Sequence, residues 1–325
     1  MITCDICGTL NFKENNYCTH CGNKLIMEHI CPVCGKSNPD GANHCVKCGS
    51  QINPISIEDF NILFNDFNQN LLSNAEITNE EYNQILSDIF ARAKFADIWG
   101  DTTRNKILNL AGVFAECKAK SRGYERGYMF AKGVYYDDRL DESVQIATII
   151  HELAHFFLFN IIESLLCYVF KVKPSSTLQS FAWYFLTLPE FQIMNEYCAH
   201  TVEGRFIPYG YQNYGSFNVL VENYGVGGES LDSMVIIGNS FANEIIVYLE
   251  KYIDEDLRNE IKLQYRKDLV KPAYESILKE TNNCLDLDIK NKVILNILQD
   301  ILIEVSNDGE ALKELESIKE SIELG

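Results

Sequence analysis

The sequence predicts a mainly α-helical protein with a small β-sheet, preceded by a cysteine-rich module. Eight of the twelve cysteines form pairs within the module, and apolar residues recur at helical spacing through most of the remaining chain. A glycine-punctuated stretch at residues 123–139 has the pattern of a β-strand or a β-hairpin. With 325 residues, 46% of them hydrophobic, the chain is long enough for several compact regions. We expect three, namely the module at residues 1–50, a core at residues 56–228 and a helical region at residues 229–325.

The charge distribution argues against nucleic acid and anionic membranes as partners. The net charge is −18, and residues 1–55 contain four lysines and four acidic residues, so the rest of the chain carries the whole excess. Such a surface repels phosphate groups. The C-x-x-C pairs indicate zinc binding rather than disulfides, and hence a reducing compartment. Because the N-terminus also lacks the pattern of a signal peptide, we expect a cytoplasmic protein.

The cysteine-rich module contains an internal repeat. Both halves have the spacing C-x2-C-x10-C-x2-C, and the second half is shifted by 27 positions. The predicted zinc ligands are Cys4, Cys7, Cys18 and Cys21 for one ion, and Cys31, Cys34, Cys45 and Cys48 for the other. Four thiolates complete a tetrahedral site and leave no open position, so both zinc ions are predicted to be structural. The stretch from Cys31 to Gly49 closely resembles the bacterial zinc-ribbon family, and the two repeats resemble a double zinc ribbon.

The predicted ribbons have few features of a nucleic-acid reader. They contain four lysines, no arginine and only two aromatic residues, Phe12 and Tyr17. Each site of four thiolates and one zinc ion also adds about two negative charges. This composition favours a structural role or the docking of a protein partner.

Residues 143–170 form a long apolar run that predicts a buried helix. Asp141 and Glu142 stand at its start, where carboxylates suit the positive end of the helix dipole. Its part from Leu153 to Phe170 is also long enough for a membrane anchor, which would make the protein membrane-associated. It contains His155, Asn160 and Glu163, and these polar residues favour a buried helix in a soluble core.

The residues His151-Glu152-Leu153-Ala154-His155 lie in this predicted helix and match the pattern H-E-x-x-H. Residues i and i+4 share one helix face, so the two imidazoles can hold one metal ion while Glu152 lies beside it. The pattern indicates zinc bound by His151 and His155, with Glu152 as general base. The alternative is a pair of core histidines beside a carboxylate, which would bury three polar side chains without a metal to compensate them.

A catalytic zinc ion needs a third protein ligand. Leu158 and Ile161 stand where a metzincin would have Gly and His, so the sequence excludes that class. A second helix is predicted at residues 190–203, and its Glu196 is the candidate for the third ligand. His200 follows one turn later. Four roles stay open for it: a ligand, a residue that orients a ligand, a stabiliser of the transition state, or a surface residue.

This second helix also carries a family resemblance. The pattern Glu196-x-x-Ala199, followed by an apolar segment up to Pro208, resembles the ImmA/IrrE-type metallopeptidases. Val202 and Glu203 stand where that family has Phe and Ala. The resemblance implies a zincin-like core of the gluzincin type, with a strand before the H-E-x-x-H helix on which an extended substrate lies. It also implies activity on regulatory proteins such as repressors.

The sequence therefore predicts a zinc-dependent endopeptidase that hydrolyses a protein substrate, with one catalytic and two structural zinc ions. Glu152 and His200 are the candidate catalytic residues, and Tyr209 and Tyr224 are further candidates for stabilising an oxyanion. The ribbons would dock the substrate or a partner. The alternative is a non-catalytic, zinc-stabilised regulatory or protein-binding protein. Residues 204–228, rich in Gly, Tyr and Asn, are expected to form either a loop that borders the cleft or an irregular surface connection.

Overall fold

The structure is a computed structural model, in which the chain divides into two compact units, Met1–Asp59 and Phe60–Gly325. The described residues are 2–3, 10–11, 20, 29–30, 36–38 and 45–47 in the first unit, and 76–91, 93, 98–120, 125–170, 173–272 and 281–324 in the second. Seven of the eight ribbon cysteines and the part of the predicted core before residue 76 lie outside these ranges.

The first unit contains two short antiparallel strand pairs. The strands are β1 (Ile2–Thr3), β2 (Leu10–Asn11), β3 (His29–Ile30) and β4 (Ser37–Asn38). In the first pair Ile2 lies opposite Asn11, and in the second pair His29 lies opposite Asn38. The second pair is therefore the first one displaced by 27 positions, which is the period of the cysteine repeat.

The described residues of the second unit form ten helices and one three-stranded sheet. The strands are β5 (Glu116–Ala119), β6 (Gly127–Phe130) and β7 (Gly133–Tyr136). The helices are α1 (Asn79–Phe90), α2 (Thr103–Phe114), α3 (Glu142–Phe170), α4 (Ser176–Thr187), α5 (Pro189–Phe206), α6 (Gly215–Tyr224), α7 (Gly228–Leu249), α8 (Glu255–Lys267), α9 (Leu287–Asn307) and α10 (Gly309–Leu324). The prediction of a mainly α protein with a small β-sheet is confirmed.

The sheet has the strand order β5-β7-β6. Strand β6 pairs with β7 in an antiparallel hairpin, one of the two structures that the glycine-punctuated stretch predicts, and β5 pairs with β7 in parallel. The strand directly before α3 is thus the middle strand, and β6 is an edge strand. Both β6 and β7 pack against α3.

Helix α3 is the centre of the second unit. It is rich in apolar residues and contacts α1, α2, α4 and α5 as well as the sheet. Its buried Phe157 ring lies 4.4 Å from the ring of Phe90 and 4.8 Å from that of Phe114, measured between centroids. Residues Glu142–Val169 are long and apolar enough to cross a membrane, but 83% of their apolar window is buried inside the protein. The burial is that of a core helix.

Helix α5 packs between α3 and α7. It begins at Pro189, whose fixed φ suits the first helical position, and it ends just before Pro208. Its close approach to α7 depends on Gly238, because a Cβ atom there would lie 2.6 Å from the backbone oxygen of Met194. Helix α7 therefore packs directly on the backbone of α5.

The expected loop at residues 204–228 is corrected by the structure, since its second half forms α6. The expected helical character of residues 229–325 is confirmed over the described residues. These helices belong to the same compact unit as the core, because α7 packs against α5 and α10 packs against α4. Ser176 Oγ at the start of α4 also donates a hydrogen bond to Glu323 Oε1 at 2.6 Å.

We predict that Glu163 makes the stability of this unit depend on pH. Burial raises the pKa of Glu163 on α3 to about 7 from its ordinary value of 4.5, although a hydrogen bond from Gln179 acts in the opposite direction. In the unfolded chain Glu163 ionises near pH 4.5, whereas in the folded protein it stays protonated up to about pH 7. The free energy of unfolding is therefore highest below pH 4.5 and falls as the pH rises to about 7. The loss amounts to about 3 kcal/mol in the free energy of unfolding.

Glu163→Gln stays neutral and should remove this part of the pH dependence. Urea denaturation of the parent and the variant at pH 5 and pH 8 measures the difference. Glu320→Gln, an exposed change on α10, is the control and should behave as the parent does. The same change of stability with pH in all three proteins would contradict the prediction.

Candidate metal centre

The two histidines of the H-E-x-x-H pattern lie side by side on one face of α3. Their Nε2 atoms are 3.1 Å apart, and the two rings meet edge to face. His155 is 8% exposed, and Glu152 on the same turn is 7% exposed. The sequence spacing thus places three polar side chains together in an otherwise apolar helix.

The other ring nitrogen of each histidine is bonded to an oxygen atom on α5. His151 Nδ1 donates to Glu203 Oε2 at 3.1 Å, and His155 Nδ1 donates to Asn195 Oδ1 at 2.8 Å. In a neutral imidazole, a proton on Nδ1 leaves a lone pair on Nε2. The two Nε2 lone pairs then face one space from opposite sides. In this tautomer no hydrogen lies between them, and both can accept one cation.

Glu196 brings a carboxylate from α5 to the same space. Its Oε2 atom is 3.5 Å from His151 Nε2, and its Oε1 atom is 3.6 Å from His155 Nε2. Ligand atoms that surround a tetrahedral zinc ion with bonds of about 2.0 Å lie about 3.3 Å apart. The donor set of two imidazoles and one carboxylate therefore fits zinc in both chemistry and spacing.

His200 lies one turn beyond Glu196 on α5 and is 7% exposed. Its Nε2 atom is 2.7 Å from Ser216 Oγ of α6 and 3.6 Å from Glu196 Oε2. Its Nδ1 atom is 3.4 Å from Glu203 Oε2. Ligand atoms of His151, Glu196 and His200 all lie within 4.8 Å of one another, so His200 is also close enough to belong to a metal site.

The carboxylates of the cluster have opposite pKa shifts. Burial raises the pKa of Glu152, and the neighbouring Glu196 and Glu203 add to this while His151 and His155 oppose it. Burial alone would also raise the pKa of Glu196, but contacts with the two histidines lower it well below its ordinary value. The pKa of Glu203 shifts in the same direction as that of Glu196. Burial alone would raise it, but contacts with His151 and His200 lower it to about 2.

The pKa values of His151 and His200 are also shifted in opposite directions. Burial alone would lower the pKa of His151, but contacts with Glu196 and Glu203 raise it well above its ordinary value. Burial and the nearby His151 lower the pKa of His200. The space between the two Nε2 atoms of α3 therefore attracts positive charge, as a metal site does.

These side chains line a cavity of about 660 Å³. Strand β6 forms one wall with Gly127, Tyr128 and Met129, and α4 forms another with Trp183 and Leu186. The cavity thus combines an apolar wall with a polar end at which the histidines and carboxylates meet. Such a cavity is large enough for a segment of peptide.

The structure brings together all of the candidate residues that the sequence places in the second unit as ligands or catalytic groups. These are His151, Glu152, His155, Glu196 and His200. The two tyrosines proposed for oxyanion stabilisation differ from them. Tyr209 is 76% exposed, and the Tyr224 hydroxyl donates a hydrogen bond to Gln192 Oε1 at 2.6 Å.

Three polar residues of the cluster were not identified from the sequence. Glu203 has a signal, because Glu196, His200 and Glu203 follow the i, i+4, i+7 spacing of one helix face. Asn195 has no such signal, since amide side chains are common on the surfaces of helices. Ser216 lies in the region that was expected to be a loop, and nothing in its sequence neighbourhood marks it as part of a site.

Comparison with known protein families matches residues 4–49 to the double zinc ribbon family. All eight predicted ribbon cysteines lie in this range, so the N-terminal double zinc ribbon and its zinc binding are confirmed. In the described part of the ribbon, Cys45 is buried and its Sγ atom accepts the backbone N–H of Lys47 at 3.4 Å. Searches among curated proteins and among solved structures gave no match.

We predict that Gly127→Ala moves the β6 wall away from Glu152. A Cβ atom at this position would lie 2.4 Å from Thr148 Cγ2, 2.6 Å from the Tyr135 backbone oxygen and 3.2 Å from Glu152 Cγ. Overpacking of this kind lowers the free energy of unfolding by about 1–3 kcal/mol, which thermal unfolding measures as a lower Tm. Gly112→Ala is the control, because nothing lies within 4 Å of a Cβ atom there.

Adding Thr148→Ser to Gly127→Ala removes the nearest methyl group but not the backbone clash, so the double variant should recover part of the Tm. Equal Tm values for Gly127→Ala and the parent would show that β6 can approach α3 without glycine.

Proposed function

We propose that the protein is a zinc-dependent endopeptidase, and that its second unit contains the catalytic centre. The observation that carries this proposal is the convergence of the His151 and His155 Nε2 atoms with the Glu196 carboxylate at one end of a cavity, beside the buried Glu152. This arrangement supports the gluzincin-like reading of the sequence, with His151, His155 and Glu196 as the residues that would hold zinc.

Zinc bound there would supply a Lewis acid that polarises the scissile carbonyl and acidifies a water molecule. Glu152 is the general base in this proposal. Its raised pKa suits a group that takes a proton near neutral pH and returns it to the leaving amine. His151 and His155 keep their Nε2 lone pairs directed into the cavity because Glu203 and Asn195 hold their Nδ1 protons.

The substrate site of the proposed enzyme lies along β6. This edge strand lines the cavity and leaves one side unpaired within the described sheet, so an extended peptide can pair with its backbone. Trp183, Leu186 and Met129 offer an apolar surface for a substrate side chain. The middle strand β7 supports this edge, since its Tyr135 stacks on Tyr128 of β6 with 4.5 Å between ring centroids.

The double zinc ribbon would dock the protein substrate or a partner in this proposal. Its two zinc ions are structural, and the third ion belongs to the cavity. The resemblance to ImmA/IrrE-type proteins points to a regulatory protein as substrate, and the charge of −18 points away from nucleic acid and anionic membranes. A cytoplasmic location is consistent with thiolate ligands that must stay reduced.

The proposal predicts three zinc ions per chain, which elemental analysis measures. His151→Ala and Glu196→Ala should each lose one ion, because each removes a ligand of the cavity site while the ribbons keep their two. Glu152→Gln should retain three ions, since it removes only the general base. It should lower the hydrolysis of a peptide mixture, followed by mass spectrometry, by about 100-fold or more.

Other outcomes of this experiment have distinct meanings. Two zinc ions in every variant would remove the catalytic metal and with it the proposed activity. Three ions without any hydrolysis by the parent would favour the non-catalytic, zinc-stabilised binding protein. Equal hydrolysis by the parent and Glu152→Gln would trace the activity to a contaminating peptidase.

A further inference from the structure

We propose that Ser216 and His200 hold the Glu196 carboxylate in the orientation of a zinc ligand, and that His200 is not itself a ligand. This inference rests on the proposed zinc site and assigns the role of its two remaining polar neighbours. Ser216 is the second residue of α6, and its hydroxyl contacts Glu196 of the proposed zinc site.

The number of hydrogen atoms on the hydroxyl decides the direction of the bonds. Ser216 Oγ lies 2.9 Å from Glu196 Oε2 and 2.7 Å from His200 Nε2, but it has only one hydrogen to donate. A carboxylate that holds a metal ion is ionised and can only accept hydrogen bonds. Ser216 therefore donates to Glu196, and His200 donates its Nε2–H to Ser216.

This direction removes His200 Nε2 from the ligand set. A nitrogen that carries a hydrogen has no lone pair for a metal ion, and the opposite nitrogen of His200 faces Glu203 Oε2 at 3.4 Å rather than the Nε2 atoms of α3. His200 thus differs from His151 and His155, whose Nδ1 atoms are the protonated ones. Of the three histidines, only His151 and His155 therefore present an Nε2 lone pair to the proposed zinc site.

The contact from Ser216 is the shortest that the described residues make to the Glu196 carboxylate. The neighbouring histidine nitrogens are 3.5 Å or more away from it. A carboxylate on a flexible side chain has several rotamers, and a single well-placed donor selects one of them. The hydroxyl therefore fixes the oxygen atoms of Glu196 at the positions that face the α3 histidines.

Ser216 is exposed to the cavity, but the chain on both sides of it is anchored. Tyr214 and Phe217 are buried, and the Phe217 ring lies 5.4 Å from the ring of Tyr197 on α5. Just before the helix, Asn213 Oδ1 accepts the Gly215 backbone N–H at 2.9 Å. These contacts fix the start of α6 against α5, so the hydroxyl position is set by packing rather than by a free loop.

Glu203 completes the network on the other side of His200. Its Oε2 atom accepts from His151 Nδ1 and also faces His200 Nδ1. A chain of polar contacts thus runs from one proposed ligand, His151, through Glu203, His200 and Ser216 to another, Glu196. Disturbing its middle should weaken the metal site without removing a ligand.

The test is the zinc affinity of the cavity site, measured on the full chain by competition with a chromophoric chelator. Ser216→Ala should weaken this site about 10-fold to 100-fold, which is the usual effect of losing a residue that orients a metal ligand. Ser216→Thr keeps the hydroxyl and should bind like the parent. Ser233→Ala, an exposed helical serine that bonds only to the Glu229 backbone oxygen among the described residues, is the matched control and should also bind like the parent.

His200→Gln separates positioning from ligation. If His200 positions Glu196, this variant keeps three zinc ions at saturation and shows a weakened cavity site. Loss of one ion, as in His151→Ala, would make His200 a ligand and overturn the inference. Unchanged affinity would overturn it as well, because the network would then contribute nothing to Glu196.

Two further results fix the interpretation. Ser216→Ala and Ser233→Ala with the same affinity would overturn the role of the hydroxyl, whereas failure of the parent to bind a third zinc ion would instead overturn the proposed function. Far-UV circular dichroism checks folding in every variant. If Ser216→Ala does not fold, His200→Gln decides between the outcomes, because it changes the same network from the α5 side.

Discussion

The polar cluster of the second unit depends on one buried contact, the approach of the His151 and His155 Nε2 atoms to 3.1 Å on α3. Positive charge between them, from a proton on one nitrogen or from a metal ion, is needed to offset the repulsion of two lone pairs at this distance. The nitrogens also lose their hydration on burial, so the arrangement is stable only with compensation. Part of it comes from α5, where Glu203 and Asn195 accept the Nδ1 hydrogens. The rest requires positive charge between the nitrogens, and the carboxylate of Glu196 faces the same space.

The elements around the cluster pack closely at two glycines, Gly238 and Gly127. Helix α5 must approach α3 closely enough for hydrogen bonds, and Gly238 lets α7 pack directly on the backbone of α5 at Met194. On the opposite side, Gly127 lets β6 lie against Thr148 and Glu152. The two glycines thus have packing roles, since both lie at contacts where a Cβ atom would meet backbone.

The sequence predicted the elements that follow from local chemistry. The helix with His151 and His155 has a clear apolar pattern, and the helix with Glu196 is bounded by Pro189 and Pro208. The residues that contact the proposed ligands were missed because those contacts are tertiary. Helix α6 was missed for a related reason, since a segment rich in Gly, Asn and Tyr has low helix propensity. Its start is stabilised by the burial of Tyr214 and Phe217.

The C-terminal helices show the same limit of sequence reasoning. Their amphipathic pattern predicted helices but not their partners. Lys290 of α9 is fully buried, and its Nζ atom donates to the Tyr82 hydroxyl of α1 at 2.6 Å and to Glu244 Oε1 of α7 at 2.5 Å. A buried ammonium is stable only when paired, so the pairing fixes α9 against both helices. Through α7 this contact supports α5, and hence the proposed ligand Glu196.

The carboxylates of the cavity acquire different roles from their surroundings alone. Glu152 and Glu196 are chemically equivalent, yet burial raises the pKa of Glu152, while the histidine contacts of Glu196 outweigh burial and lower its pKa. A group that stays ionised suits metal binding, and a group whose pKa is raised suits proton transfer. With Glu203 they place three carboxylates beside the histidines, and a divalent cation would offset the negative charge of the ionised ones. The same electrostatics that would recruit the ion therefore also separates the ligand from the base.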